Sequence, residues 1–142
     1  MRYLTSLIFA LALSVAFVAC GAEEAVCAEP VANPGGIWCM TSTNIETNCR
    51  GELYPPHDFF FTIFQEGSDL SAASNWGWLE GTICGDQIRM SGEGGRDDLT
   101  TTGNMELSIS ADGNSVEGSE AWTATRPDLN CRGKDLLSGY RC

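Results

Sequence analysis

The chain has 142 residues, 16 of them Gly and seven Cys, and carries a formal net charge of −11 from 19 Asp and Glu against eight Lys and Arg. That length holds one ordinary domain, which excludes a multidomain enzyme and most large α/β folds. The acidic balance repels phosphate backbones and argues against nucleic-acid partners, while the Gly and Cys content points to a turn-rich, disulfide-stapled protein of an oxidising compartment.

Residues 1–19 hold one early positive charge, Arg2, followed by an apolar run. The run is short for a retained membrane span, which takes about 20 apolar residues, and it reads as a secretory signal. It stops at Phe17-Val18-Ala19-Cys20-Gly21, which resembles the lipobox of bacterial lipoproteins. The resemblance implies that Cys20 receives a diacylglycerol, that the signal is cut before it, and that the new amine is acylated. Phe17 stands where that family usually has Leu, and ordinary cleavage after Ala22 is the alternative. Acyl chains contribute about 0.8 kcal/mol per buried CH₂, so this anchor needs no basic patch. Gly21, in place of the Asp of an inner-membrane retention signal, implies the outer membrane of the cell envelope. Lipidation of Cys20 also leaves an even set: Cys27, Cys39, Cys49, Cys84, Cys131 and Cys142. Residues 20–35 are small, acidic and Pro/Gly-bearing and read as a flexible tether.

Residues 36–142 form a single domain in which alternation replaces any helical period. Met105, Leu107 and Ile109 oppose Glu106, Ser108 and Ser110; Ile88 and Met90 oppose Gln87, Arg89 and Ser91. Eight strands are predicted, over 36–42, 58–65, 69–74, 77–84, 86–92, 102–110, 115–124 and 135–141. Tight turns are expected at Glu66-Gly67-Ser68-Asp69, Gly85-Asp86 and Ala111-Asp112-Gly113-Asn114. Long loops are expected at 43–57, 93–101 and 125–134. In an up-and-down meander these loops share one end and the hairpins the other. The fold class is therefore all-β: an eight-stranded antiparallel up-and-down barrel, with a Greek-key β-sandwich as the alternative. The stretch Asp58–Gln65 is apolar on both faces, Phe59, Phe61 and Ile63 on one and Phe60 and Phe64 on the other. One face belongs in the core; the other is either covered by the tether or first loop, or is an exposed patch for a partner or lipid.

Gly36-Ile37-Trp38 resembles the Gly-x-Trp of lipocalin-like (calycin) barrels. The resemblance covers 36–142 in outline and implies that Arg141, on the last strand, packs over the Trp38 ring. Such a contact contributes about 0.5–2 kcal/mol.

Two identical tetrapeptides, Asn48-Cys49-Arg50-Gly51 and Asn130-Cys131-Arg132-Gly133, fall in loops that share an end of the meander. A Cys49–Cys131 disulfide is expected, tying 43–57 and 125–134 into one lid with Arg50 near Arg132. Of the remaining four, Cys39 pairs with Cys142 across the closing seam and Cys27 straps to Cys84, although six cysteines allow 15 connectivities.

His57 is the sole histidine, and no nucleophile elbow, His-Glu-x-x-His or metal-binding cysteine spacing accompanies it. Neither a catalytic residue, a metal site nor a cofactor is therefore assigned, and the chain reads as a non-enzyme. The function expected is a lipid-anchored module binding a small apolar or amphipathic ligand at a barrel mouth lined by Trp38, Phe60 or Phe61, Leu107 and Trp122. An open cavity of about 300 Å³ or more would favour that function; a filled barrel would not. The alternatives are a protein-interaction module such as a lysozyme or protease inhibitor, or a structural envelope lipoprotein. Ile37-Trp38-Cys39 and Tyr140-Arg141-Cys142 are similar in kind to the strand-joining disulfide of membrane-bound lysozyme inhibitors, and an acidic surface suits a basic partner.

Overall fold

Alternating side chains and glycine-bearing turns produce eight strands: β1 (Gly36–Thr47), β2 (His57–Glu66), β3 (Asp69–Ser74), β4 (Gly77–Cys84), β5 (Gln87–Arg96), β6 (Leu99–Ile109), β7 (Ser115–Arg126) and β8 (Leu129–Arg141). The computed structural model describes residues 27–49 and 52–142, so the signal expected at 1–19, the lipidation site expected at Cys20, and Arg50 lie outside the described residues. Each strand pairs antiparallel with the next, and β1 closes on β8 in the register Trp38↔Arg141 to Asn44↔Asp135, shifting by a bulge before Glu46. A closed ring of sequential neighbours is an up-and-down barrel, which sets aside the Greek-key sandwich. Closure also leaves no free sheet edge.

The turns at β2–β3, β4–β5 and β6–β7 lie at one end, where Gly67 and Gly85 adopt φ of 65° and 60°, a region that an L side chain resists. The other end, the mouth, carries the β1–β2 loop and three tight turns at 75–76, 97–98 and 127–128. Here the structure departs from expectation. The segments 93–101 and 125–134 are not long loops: β5 runs to Arg96, β6 starts at Leu99, and β7 and β8 turn through Pro127-Asp128. The Gly-rich run on β5 resembles a loop in sequence but is required by the sheet. A Cβ at Gly92 would run into the backbone of β4 at Trp78, and one at Gly94 into the backbone of Trp76 in the turn just before β4. The loop at the mouth is correspondingly short, 48–56, and the lid expected from two long loops is replaced by this one loop pinned to a strand.

All three expected disulfides are present: Cys49–Cys131 at the mouth, and Cys39–Cys142 and Cys27–Cys84 at the hairpin end. The twin tetrapeptides meet through backbone as well as sulfur, the Asn48 N–H donating to the Arg132 carbonyl at 3.1 Å and the Arg132 N–H to Asn48 Oδ1 at 2.7 Å.

Residues 27–35 do not hang free as a tether. They cross beneath the hairpin end, held by the Cys27–Cys84 bond and by Val31 N–H donating to the Gly85 carbonyl and Gly85 N–H to the Ala28 carbonyl. Trp38 Nε1 donates to the Pro34 carbonyl at 2.8 Å. Arg141 completes this floor. Its Cζ lies 4.8 Å from the Trp38 ring centroid, while its Nη1, Nη2 and Nε donate to the carbonyls of Gly35, Asn33 and Gly113 at 2.6, 2.7 and 3.0 Å.

Candidate functional site: a cavity in the mouth half of the barrel

The inward-facing residues change size along the barrel axis. Towards the hairpin end they are Trp38, Met40, Ile63, Leu70, Ile83, Ile88, Leu107, Ile109 and Val116, buried and packed on one another. Nearer the mouth the same inward phase holds Ser42 on β1, Ser74 on β3, Gly92 and Gly94 on β5, Gly103 on β6 and Ala124 on β7. Eight strands enclose little more than their side chains, so small residues in the upper layers leave room. The result is a cavity of about 490 Å³ open at the mouth.

Aromatic rings line it. Phe61, Phe59, His57 and Trp76 follow one another up the β2 side, with successive centroids 6.5, 6.1 and 6.0 Å apart. On the opposite side Trp122 faces Tyr54 from the β1–β2 loop at 6.3 Å. Tyr54 is drawn in by its N–H donating to Asn44 Oδ1 at 3.4 Å. The Cys49–Cys131 bond and Leu99 complete the rim.

Two carboxyl groups interrupt this apolar wall. Glu120 on β7 and Asp135 on β8 are directly opposite each other in register, both in the inward phase. Asp135 is buried and its oxygens are engaged: Oδ1 accepts from Asn44 Nδ2 at 2.7 Å and from Trp122 Nε1 at 2.9 Å, and Oδ2 from Ser42 Oγ at 2.5 Å. Glu120 is different. Among the described residues no side chain or backbone group donates to it, and its carboxyl occupies the space that Gly103 leaves by having no Cβ. Burial in the apolar wall, and after it the neighbouring charge of Asp135, pushes its carboxyl up to about 7. No Lys or Arg is among the described residues lining the cavity.

Of the residues expected to form the mouth, Phe61 and Trp122 line the cavity. Trp38 and Leu107 do not: both are fully packed in the hairpin half, below the cavity floor. Phe60 is corrected outright. It points out of the barrel and is 70% exposed, because the inward phase on β2 belongs to Phe59, Phe61 and Ile63. Neither the 27–35 segment nor the first loop covers that outer face. Phe60, Phe64, stacked on Trp78 at 6.0 Å, Ile37 and Tyr140 form an exposed apolar band across β8, β1, β2 and β4.

Sequence reasoning missed Glu120, Asp135, Tyr54 and Phe59 as site residues. The signal for the acids was present: Glu120 is in phase with Val116, Trp122 and Ala124, and Asp135 with Cys131 and Leu137. An acid in the inward phase of a strand is the mark of a polar site within a core.

Comparison with known proteins gives no match: no family model fits the chain, and neither a curated protein nor a solved structure is similar to it. The site is read from its own geometry.

Proposed function

We propose that this protein is a lipid-anchored envelope protein that binds a small apolar or amphipathic molecule in the mouth half of its barrel. The observation that carries the reading is the cavity of about 490 Å³, lined by aromatic rings over a closed, packed floor. Ligand sites occupy about 300–1,000 Å³ and combine an apolar wall with a few polar groups, and this cavity has both. Three disulfides fit an oxidising compartment outside the cytoplasm. Anchoring at Cys20 gives the barrel an orientation. Cys27 is bonded to Cys84 at the hairpin end, so an anchored Cys20 holds that end to the bilayer and turns the mouth away from it. The reading is of binding and not of catalysis.

Organic extraction of the purified protein followed by mass spectrometry tests it. A stoichiometric small molecule is expected from the parent and not from Thr101→Phe, which fills the cavity. An empty parent that also fails to take up n-decanol, followed through tryptophan fluorescence, would overturn the reading.

The exposed band of Phe60, Phe64, Trp78, Ile37 and Tyr140 favours a second reading, a protein-interaction module. The acidic chain suits a basic partner. In that case Phe60→Ser with Phe64→Ser abolishes partner binding and leaves cavity ligands unaffected.

A further inference from the structure

The cavity wall is electrically one-sided. It carries Glu120 and Asp135 on adjacent strands and no cationic side chain among the described lining residues. A fatty acid or phospholipid head group placed there would face two carboxyls with no counter-charge among the described lining residues, so anionic amphiphiles are disfavoured. Asp135 has its oxygens occupied by Ser42, Asn44 and Trp122, whereas Glu120 has no donor among the described residues. A half-buried carboxyl without a donor, aimed into an apolar cavity, is an unfilled acceptor. The group that fills it best is a positively charged donor, because charge-assisted hydrogen bonds are the strong ones and gain strength away from water.

Building on the ligand-binding reading above, we propose that the ligand is an amphipathic amine: its apolar body lies along the aromatic wall, and its ammonium group is held by Glu120 beside Asp135. The surroundings suit such a head group. Trp122 is fixed by its own bond to Asp135, and with Tyr54 it presents aromatic rings close to the acid pair. The net charge of −11 draws cations towards the molecule. Within the wall, Gly103 leaves the Glu120 carboxyl its space, and a larger residue there would force it aside.

The acid also makes binding depend on pH. Asp135 faces Glu120 from β8, Met105 and Gly103 face it from β6, and Tyr54, His57 and Glu93 are the other titratable residues of the wall. The Glu120 carboxyl, pushed up to about 7, is neutral in acid and ionised in base. An ammonium ion favours the ionised form, so affinity for amines rises as pH rises through that value.

Three probes of equal chain length separate the outcomes: n-decylamine, n-decanol and decanoate, titrated into the intact disulfide-bonded protein at pH 8 with tryptophan fluorescence as the readout. Decylamine is expected to bind about tenfold or more tighter than decanol, and decanoate weakest. Glu120→Gln should bring decylamine down to the decanol level, and lowering the pH to 5.5 should do the same to the parent. Far-ultraviolet circular dichroism confirms that the variant keeps the barrel. Decanol or decanoate binding as tightly as decylamine overturns the amine assignment while the cavity reading stands. Failure of all three probes to bind overturns both.

Discussion

At the residue scale, Glu120 couples the site to stability. In the folded protein its carboxyl holds a proton up to about pH 7, while the ordinary value is 4.5. Between those values the folded state is protonated and the unfolded chain is not, so stability falls as pH rises through the window. Glu120→Gln removes the cost. The variant should be more stable than the parent at pH 8, by up to about 3 kcal/mol, and the two should converge below pH 4.5. Urea denaturation at the two pH extremes measures this; a constant difference across pH would contradict it. Arg141 is the second such residue. It joins β8, the floor segment and the β6–β7 turn through three carbonyls and one indole face. Lysine keeps the charge but not the fork. Arg141→Lys should therefore cost about 2 kcal/mol in the same assay, and a cost near zero would mean that the Cys27–Cys84 bond and the Gly85 and Trp38 hydrogen bonds hold the floor without it.

At the scale of elements, β5 is the strand whose existence depends most on what it lacks. Its glycines let β4 approach so closely that a Cβ at Gly94 would overlap the Trp76 carbonyl. Gly94→Ala should destabilise by more than about 2 kcal/mol. Gly67→Ala, at a turn with φ of 65° and open space around it, should cost only about 1–2 kcal/mol of backbone strain. Thermal midpoints of the two variants check the order, and equal losses would show that β4 and β5 can separate without penalty. At the mouth, the 48–56 loop is held by the Cys49–Cys131 bond, the Asn48–Arg132 pair and the Tyr54–Asn44 contact. Replacing Cys49 and Cys131 together by Ser should raise amide exchange in 48–56 and at the tip of β7–β8. The hairpins near Gly67, Gly85 and Gly113 should remain protected. Equal loosening at both ends would mean that the two halves are not separately stabilised.

At the scale of the whole molecule, the barrel is divided into a packed half and a hollow half. The hairpin half has bulky side chains, the floor segment, Arg141 and two disulfides. The hollow half has a cavity, two facing acids and one disulfide. Protection against hydrogen exchange should therefore fall from the Trp38–Ile88–Leu107 layer towards the Ser74–Gly92–Gly103 layer, and a bound amine should raise it only in the upper layer. Uniform protection along each strand would contradict a division of labour between stability and binding. The outer band around Phe60 and Phe64 belongs to the same scale, since residues from four strands compose it and no single strand contains it.

The period of two in each strand determined by itself that the protein is all-β, because apolar alternation from 36 onward has no other stable use. Turn glycines fixed the antiparallel order, and that order alone brought Cys49 to Cys131 and Cys39 to Cys142. The strands at 93–96, 99–101 and 129–134 were not legible, because the Gly- and Thr-rich run around 92–103 and the polar Asn130–Lys134 stretch read as loop when judged locally. They are strand because pairing with the neighbouring strands continues through them, and at Gly94 and Gly95 the neighbouring backbone lies too close for a side chain; both are properties of the assembled sheet. Tertiary structure also decided the site. Phase placed Trp122 and one of Phe60 and Phe61 inside, but only barrel closure shows that the inward one is Phe61, that Phe60 lies outside, and that Trp38 and Leu107 lie beneath the cavity. The acid pair follows the same logic: Glu120 and Asp135 are 15 positions apart in the chain, and the β7–β8 register sets them face to face across two adjacent strands. Their opposition comes from hydrogen-bond pairing between strands, and the hollow they face exists because residues from several other strands are small.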